Sequence, residues 1–223
     1  MRTDEIRIVV AAGGVPHGVI SPEPSSRTAE SESLVRRALT RCAPEVSESA
    51  WRLVRERSGQ LAREPHSDCR PLEFSVSHSG NTTVVAVTDG AEIGIDIERS
   101  LPKHLRDSDL PCDFLSPSER ASLALQDLDE RNRRFLRHWT LKEAYAKARG
   151  FGLALAFDQL SFEIDEVGIR AEFGPLIKDS SQAWSFHSLS ILEDITIGLA
   201  TRSTSGRTVR IDRLPNEPVR RRA

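Results

Sequence analysis

The 223-residue chain is poor in the residues that would mark several common protein classes. Its three cysteines, Cys42, Cys69 and Cys112, are odd in number, scattered and outside any CxxC spacing, so neither a disulfide framework nor a zinc site is indicated. It has no long hydrophobic run. Residues 1–11 are apolar but broken by Asp4, Glu5 and Arg7, too short to span a bilayer and without the form of a signal peptide. No membrane association is expected, and a reducing cytoplasm is the expected location. Neither sign of charge dominates: 31 Lys and Arg stand against 33 Asp and Glu, and a net charge of -2 argues against a general nucleic-acid binder. Lysine is scarce, since arginine carries nearly all the positive charge, so Lys142 and Lys147 stand out. What is present is ordinary: 38% hydrophobic and 29% charged residues describe a globule of one or two domains with enough chain for a real core.

The most informative stretch is WTLKEAYAKARG, residues 139–150. It is helical in character, and with about 3.6 residues per turn Glu143 and Lys147 fall one above the other on the same face. Trp139 lies a turn back on that stripe, and Gly150 stands where a C-terminal cap is expected. Alone, this pattern suits a solvated helix with a favourable i,i+4 ion pair as well as it suits a site. A second stretch, EIGIDIE at residues 92–98, alternates strictly. Ile93, Ile95 and Ile97 point to one strand face, and Gly94, Asp96 and Glu98 to the other. Two carboxylates on one face repel unless a positive charge lies between them. A hard cation is the usual answer, and magnesium takes oxygen ligands, keeps several waters and is typically held by one or two carboxylates together with substrate phosphates. A lone DxE suits an exposed acidic strand equally well. Glu143, as a third acid from a distant helix, turns it into a candidate cation site.

Residues 74–87, FSVSHSGNTTVVAV, read as a strand, a Gly80 Asn81 turn and a second strand that is apolar on both faces and therefore central. Ser77, His78 and Ser79 crowd the end of the first strand, where side chains and free amides can hold an anion.

Taken together, SVSHSG, IGIDIE and WTLKEAYAKARGFGL, in this order and at these separations, resemble the 4'-phosphopantetheinyl transferases of the surfactin-synthetase-activating type, in the branch whose helix motif reads W then KEA. The resemblance implies an α+β fold of two similar α/β halves related by a pseudo-two-fold, with the active site at their interface. It also implies transfer of the 4'-phosphopantetheine arm of coenzyme A to a serine of an apo acyl or peptidyl carrier protein, with magnesium required and 3',5'-ADP released. Asp96, Glu98 and Glu143 would hold the metal. Glu143 would accept the serine proton, Lys147 would neutralise the leaving phosphate, and Ser77 and His78 would hold phosphate oxygens. Arg27 matches an arginine that contacts coenzyme A phosphate, and Lys142 is either a further phosphate contact or an exposed neighbour. Glu119, in FLSPSER, is either a capping-box acid or part of the metal shell. Gln60 departs from the family, which usually has a lysine there, and Arg57 or Arg63 is the expected substitute. Half-length members form trimers, so a chain of this length implies a monomer. Two alternatives share part of the pattern: a magnesium-dependent coenzyme A pyrophosphate hydrolase, and a non-enzymatic coenzyme A-binding protein.

In chain order the expected elements are a strand at 5–12, a loop at 13–26, a helix at 28–42 and a short strand within 50–56. A three-stranded meander at 74–98 follows, then a crossover at 99–113, a capped helix from Pro117 and a long helix at 129–150. A second antiparallel sheet is expected from 160–166, 168–173, 183–189 and 195–200, with an edge strand at 208–212. Leu123 and Leu125 suit either a carrier-facing surface or the core. The expected division is 1–100, 101–212 and a disordered tail at 213–223.

Overall fold

The computed structural model describes residues 5–12, 24–55, 61–64, 71–99, 112–191, 194–203 and 207–214, leaving out the side chains of 24–28, Cys112 and Leu153. Gln60, Arg57, the crossover up to residue 111 and the tail from 215 lie outside the described residues. The chain divides into two compact units, Met1–Gly90 with Thr208–Ala223, and Ala91–Arg207. Both mix helix with small sheets, so the fold class is α+β.

The first unit contains strand β1 (Glu5–Ala12), helix α1 (Pro24–Cys42), the short strands β2 (Leu53–Arg55) and β3 (Leu61–Arg63), and β4 (Leu72–Ser79) and β5 (Thr82–Asp89). Helix α1 begins four residues earlier than the apolar spacing indicates, because Pro24 suits a first helical position where no amide donor is needed. β4 and β5 form the expected hairpin, turned at Gly80 with φ 60. β5 is central, paired antiparallel to β1 on its other side, as its two apolar faces require. Leu34, Val35, Ala38, Leu39 and Cys42 from the inner face of α1 pack on Val9, Leu72, Val85 and Val87 of the sheet, closed by Trp51.

The second unit contains β6 (Ile93–Arg99), α2 (Pro117–Ala124), α3 (Leu128–Arg149), β7 (Leu160–Ile164), β8 (Ile169–Phe173), β9 (Trp184–Ile191) and β10 (Ile195–Arg202). The final strand, β11 (Thr208–Arg213), returns to the first unit and pairs parallel to β1 at the sheet edge. Two expectations are corrected here. β6 is not the third strand of a meander: it pairs antiparallel with β10 in a sheet ordered β6-β10-β9. Nor do the C-terminal strands form one sheet, since β7 and β8 make a separate hairpin. The divisions at 100 and 212 shift accordingly. Both faces of β6 are covered from Ile93 to Ile97, and a strand buried on both sides is set by what packs on it rather than by its neighbour in sequence.

Helix α3 lies across β6 and β10. Asp127 caps its first turn by accepting from the Glu130 amide, and Gly150, in the left-handed region with φ 68, ends it. Leu141, Ala144 and Tyr145 join Phe157, Leu160, Phe162, Trp184 and Phe186 in the main core of this unit. Trp139 fills a second cluster with Leu115, Leu123, Phe135 and Leu136. Among the described residues no helix is long and apolar enough to cross a membrane.

Candidate active site

The site is built where α3 rests on β6. Gly94 and Gly198 decide how close that rest can be. A Cβ built on Gly94 would sit 1.9 Å from the Ala144 carbonyl oxygen, and one on Gly198 would sit 2.2 Å from the Thr140 carbonyl carbon. Gly198 pairs directly with Asp96 across the ladder, so the two glycines flank the aspartate along and across the sheet. Only glycine lets a helix backbone approach a strand so closely. The sequence marks Gly94 merely as an outward position of a strand, and nothing in it marks Gly198.

This contact sets Lys147 against Asp96 and puts Glu143 within reach of the Asp96 and Glu98 charges. Lys147 Nζ lies 2.6 Å from Asp96 Oδ1, and Asp96 itself is buried. Glu143, one turn before Lys147, has its carboxyl pushed above the ordinary range by burial and then by the Asp96 charge, with Glu98 adding to the effect and Lys147 opposing it. Its Oε1 is shielded from solvent and has no hydrogen-bond partner among the described residues. An orphaned carboxylate oxygen beside two further acids is a place where positive charge is wanted. Among the described residues, no three His, Cys, Asp or Glu side chains gather tightly enough to hold a metal ion by themselves. Magnesium needs no closed protein cage, because it keeps waters and shares its shell with phosphate oxygens. The donor chemistry of Asp96, Glu98 and Glu143 therefore fits a hard divalent cation.

Lys142 is not an exposed neighbour: it is fully buried, and its Nζ donates to the carbonyls of Phe114 and Phe157, both at 2.8 Å, and lies 2.6 Å from Glu119 Oε2. An ammonium has three N–H bonds, and all three are used. Glu119 is equally committed. Oε2 also accepts from the Ser116 amide at 2.8 Å, while Oε1 accepts from the Phe162 amide at 2.9 Å and lies 3.1 Å from His138 Nδ1. The capping box of α2 is complete, and the Glu119 carboxylate is engaged by the Ser116 and Phe162 amides and by Lys142. Burial pushes this carboxyl up, but His138 and Lys142 outweigh it and hold it below the usual carboxylate range.

Other expected site residues belong to the first unit. Ser77 is buried and His78 exposed on β4, and Arg27 lies on α1 with its side chain outside the described residues. Leu123 is core, whereas Leu125 is 85% exposed. A cavity of about 350 Å³ opens elsewhere in the second unit, beside Ser118, Arg134, Arg137 and His138, and none of Asp96, Glu98, Glu143 and Lys147 lines it.

Residues 92–200, which carry β6, α3 and β10, match the model of the 4'-phosphopantetheinyl transferase superfamily. The chain is 35% identical over 101 residues to 4'-phosphopantetheinyl transferase Sfp of Bacillus subtilis, covering 45% of this chain and 43% of that protein. It is 30% identical over 141 residues to 4'-phosphopantetheinyl transferase AcpT of Salmonella typhimurium, covering 63% of this chain and 69% of that one. It is 25% identical over 172 residues to the L-aminoadipate-semialdehyde dehydrogenase-phosphopantetheinyl transferase of Rattus norvegicus, covering 70% and 54%. This chain belongs to the 4'-phosphopantetheinyl transferase superfamily. Against the Bacillus relatives the match spans less than half of their length, 42 to 48%.

Proposed function

We propose that the chain is a phosphopantetheinyl transferase of the Sfp-like type, in the W/KEA branch, moving the 4'-phosphopantetheine arm of coenzyme A to a serine of an apo carrier protein with magnesium and releasing 3',5'-ADP. The observation that carries this reading is the orphaned, buried Oε1 of Glu143 beside Asp96 and Glu98, with Lys147 one turn on. Asp96, Glu98 and Glu143 hold the divalent cation, which supplies charge neutralisation on the pyrophosphate when bound. The serine oxygen forms a bond to the β-phosphorus, and the bond from that phosphorus to the bridging oxygen breaks, leaving 3',5'-ADP with the electron pair. Glu143 takes the serine proton. Lys147 stabilises the departing phosphate. Arg27, Ser77 and His78 hold phosphate oxygens of coenzyme A. The enzyme acts as a monomer in the cytoplasm, and its two units correspond to the two related halves of the family's fold.

Mass analysis of an apo carrier incubated with the chain, coenzyme A and magnesium tests this. A carrier heavier by one phosphopantetheine supports transfer, and free phosphopantetheine with an unmodified carrier would mean hydrolysis instead.

A further inference from the structure

The KEA motif contains a second lysine whose surroundings separate it from the acid cluster. Lys142 adjoins Glu143 in sequence but lies about 100° around the helix from it. There its ammonium binds the carbonyl of Phe114, in the turn Cys112–Phe114, and that of Phe157, in the turn Phe157–Gln159. Glu119 completes the knot by taking the amides of Ser116 before α2 and Phe162 in β7. One buried ion pair thus ties α3 to two turns, to the start of α2 and to a strand. Apart from α3 itself, which carries Glu143, none of these segments contributes Asp96, Glu98 or Glu143.

A buried ion pair is seldom the most stable way to fill such a space. Desolvating both charges costs as much as their attraction returns, and well-packed apolar side chains of similar volume do as well or better. What the pair supplies is direction: the ammonium accepts only an arrangement that aims three oxygens at it, which fixes both the rotation and the height of the helix. The next residue is Glu143, and Lys147 follows one turn later. We infer that Glu119 and Lys142 are positioning residues that set α3 at the rotation where Glu143 and Lys147 meet Asp96, and that they touch neither coenzyme A nor a metal ion. This rests on the reading of Glu143 and Lys147 as reacting groups.

The test compares wild type with Lys142→Met, Glu119→Gln and the double variant Glu119→Leu/Lys142→Met, measuring thermal melting, kcat and the KM for coenzyme A with an apo carrier. Lys142→Met strands a buried carboxylate, and its melting temperature should fall on the order of 10 °C. The apolar double variant should recover most of that loss. Its kcat should nevertheless stay lower by about 10²-fold, because misplacing reacting groups by about 1 Å costs that much, while its KM stays within about twofold of wild type. Glu119→Gln, which keeps the shape of the side chain, should lower kcat with an unchanged KM and serves where the other variants do not accumulate. A double variant with wild-type kcat overturns the positioning role. A KM for coenzyme A raised about tenfold or more in every variant lacking Lys142 overturns the inference in favour of a phosphate contact. A wild-type chain that modifies no carrier refutes the functional reading itself, so the two failures are distinct.

Discussion

Replacing Gly94 by alanine tests how closely the acid cluster depends on backbone contact. The added methyl group would lie 1.9 Å from the Ala144 carbonyl oxygen and 2.6 Å from the Ala148 amide nitrogen. Both are backbone atoms of α3, so no side chain can swing aside. The helix must lift by about 1 Å to restore ordinary contact in a close-packed interior. Overpacking of this kind costs about 1–3 kcal/mol. At about 2–4 °C per kcal/mol for a chain of this size, the melting temperature should drop by roughly 2–12 °C. The same lift draws Glu143 and Lys147 away from Asp96, and a displacement of about 1 Å reduces the rate on the order of 10²-fold. The control is Gly90→Ala in the first unit, where φ is 58 and an added Cβ meets nothing within 4 Å. Its cost is conformational, about 1–2 kcal/mol, and it should lower melting to a similar degree while leaving carrier modification at the wild-type rate. Differential scanning calorimetry with a mass-based transfer assay on the three proteins reads both quantities. A Gly94→Ala chain that melts and transfers like wild type, or a Gly90→Ala chain equally impaired in rate, would refute the reasoning.

Glu143→Gln should be more stable than wild type at pH 7 and yet transfer about 10²–10⁴-fold more slowly. Because burial and Asp96 raise the carboxyl, the folded state prefers it protonated; wild type regains stability as pH falls through its titration range, so melting curves of the two proteins should converge in acid. Cys42 is 1% exposed, and burial pushes its thiol up to about 11 against a smaller opposing effect of Arg7. Iodoacetamide at pH 8 should therefore leave Cys42 unlabelled until denaturant is added, as read by peptide mass mapping, and labelling in the native protein would contradict the burial. The thiol's contribution to stability is complete below its unfolded value and is lost as pH rises toward 11.

Much of the site was legible because its signals are local. The spacing of Glu143 and Lys147 places them on one helical stripe, Gly150 marks the helix end, and the alternation of IGIDIE puts Asp96 and Glu98 on one face. The capping box of Ser116 and Glu119 likewise needs only four residues of context. What was not legible depends on partners distant in sequence. Alternation assigns the faces of β6 but not its neighbour, and β10 lies about a hundred residues later, so local pattern alone joins the strand to the nearer hairpin. Lys142 reads as a phosphate contact or an exposed neighbour, since no local pattern shows that the Phe114 and Phe157 carbonyls and the Glu119 carboxylate converge on it. The capping box was a partial clue: it buries a carboxylate at a helix start, and a buried carboxylate requires a cation somewhere. Gly198 carries no signal at all until it is seen opposite Asp96 with α3 lying on it.

The most direct measurement is a calorimetric titration of magnesium chloride, in the presence of coenzyme A, into wild type, Asp96→Asn and Glu143→Gln. Wild type is expected to bind one magnesium ion per chain beyond what coenzyme A takes alone, and both variants are expected to lose that heat. Variants that bind magnesium as wild type does, or a wild-type chain that binds none, would contradict a cation held between β6 and α3.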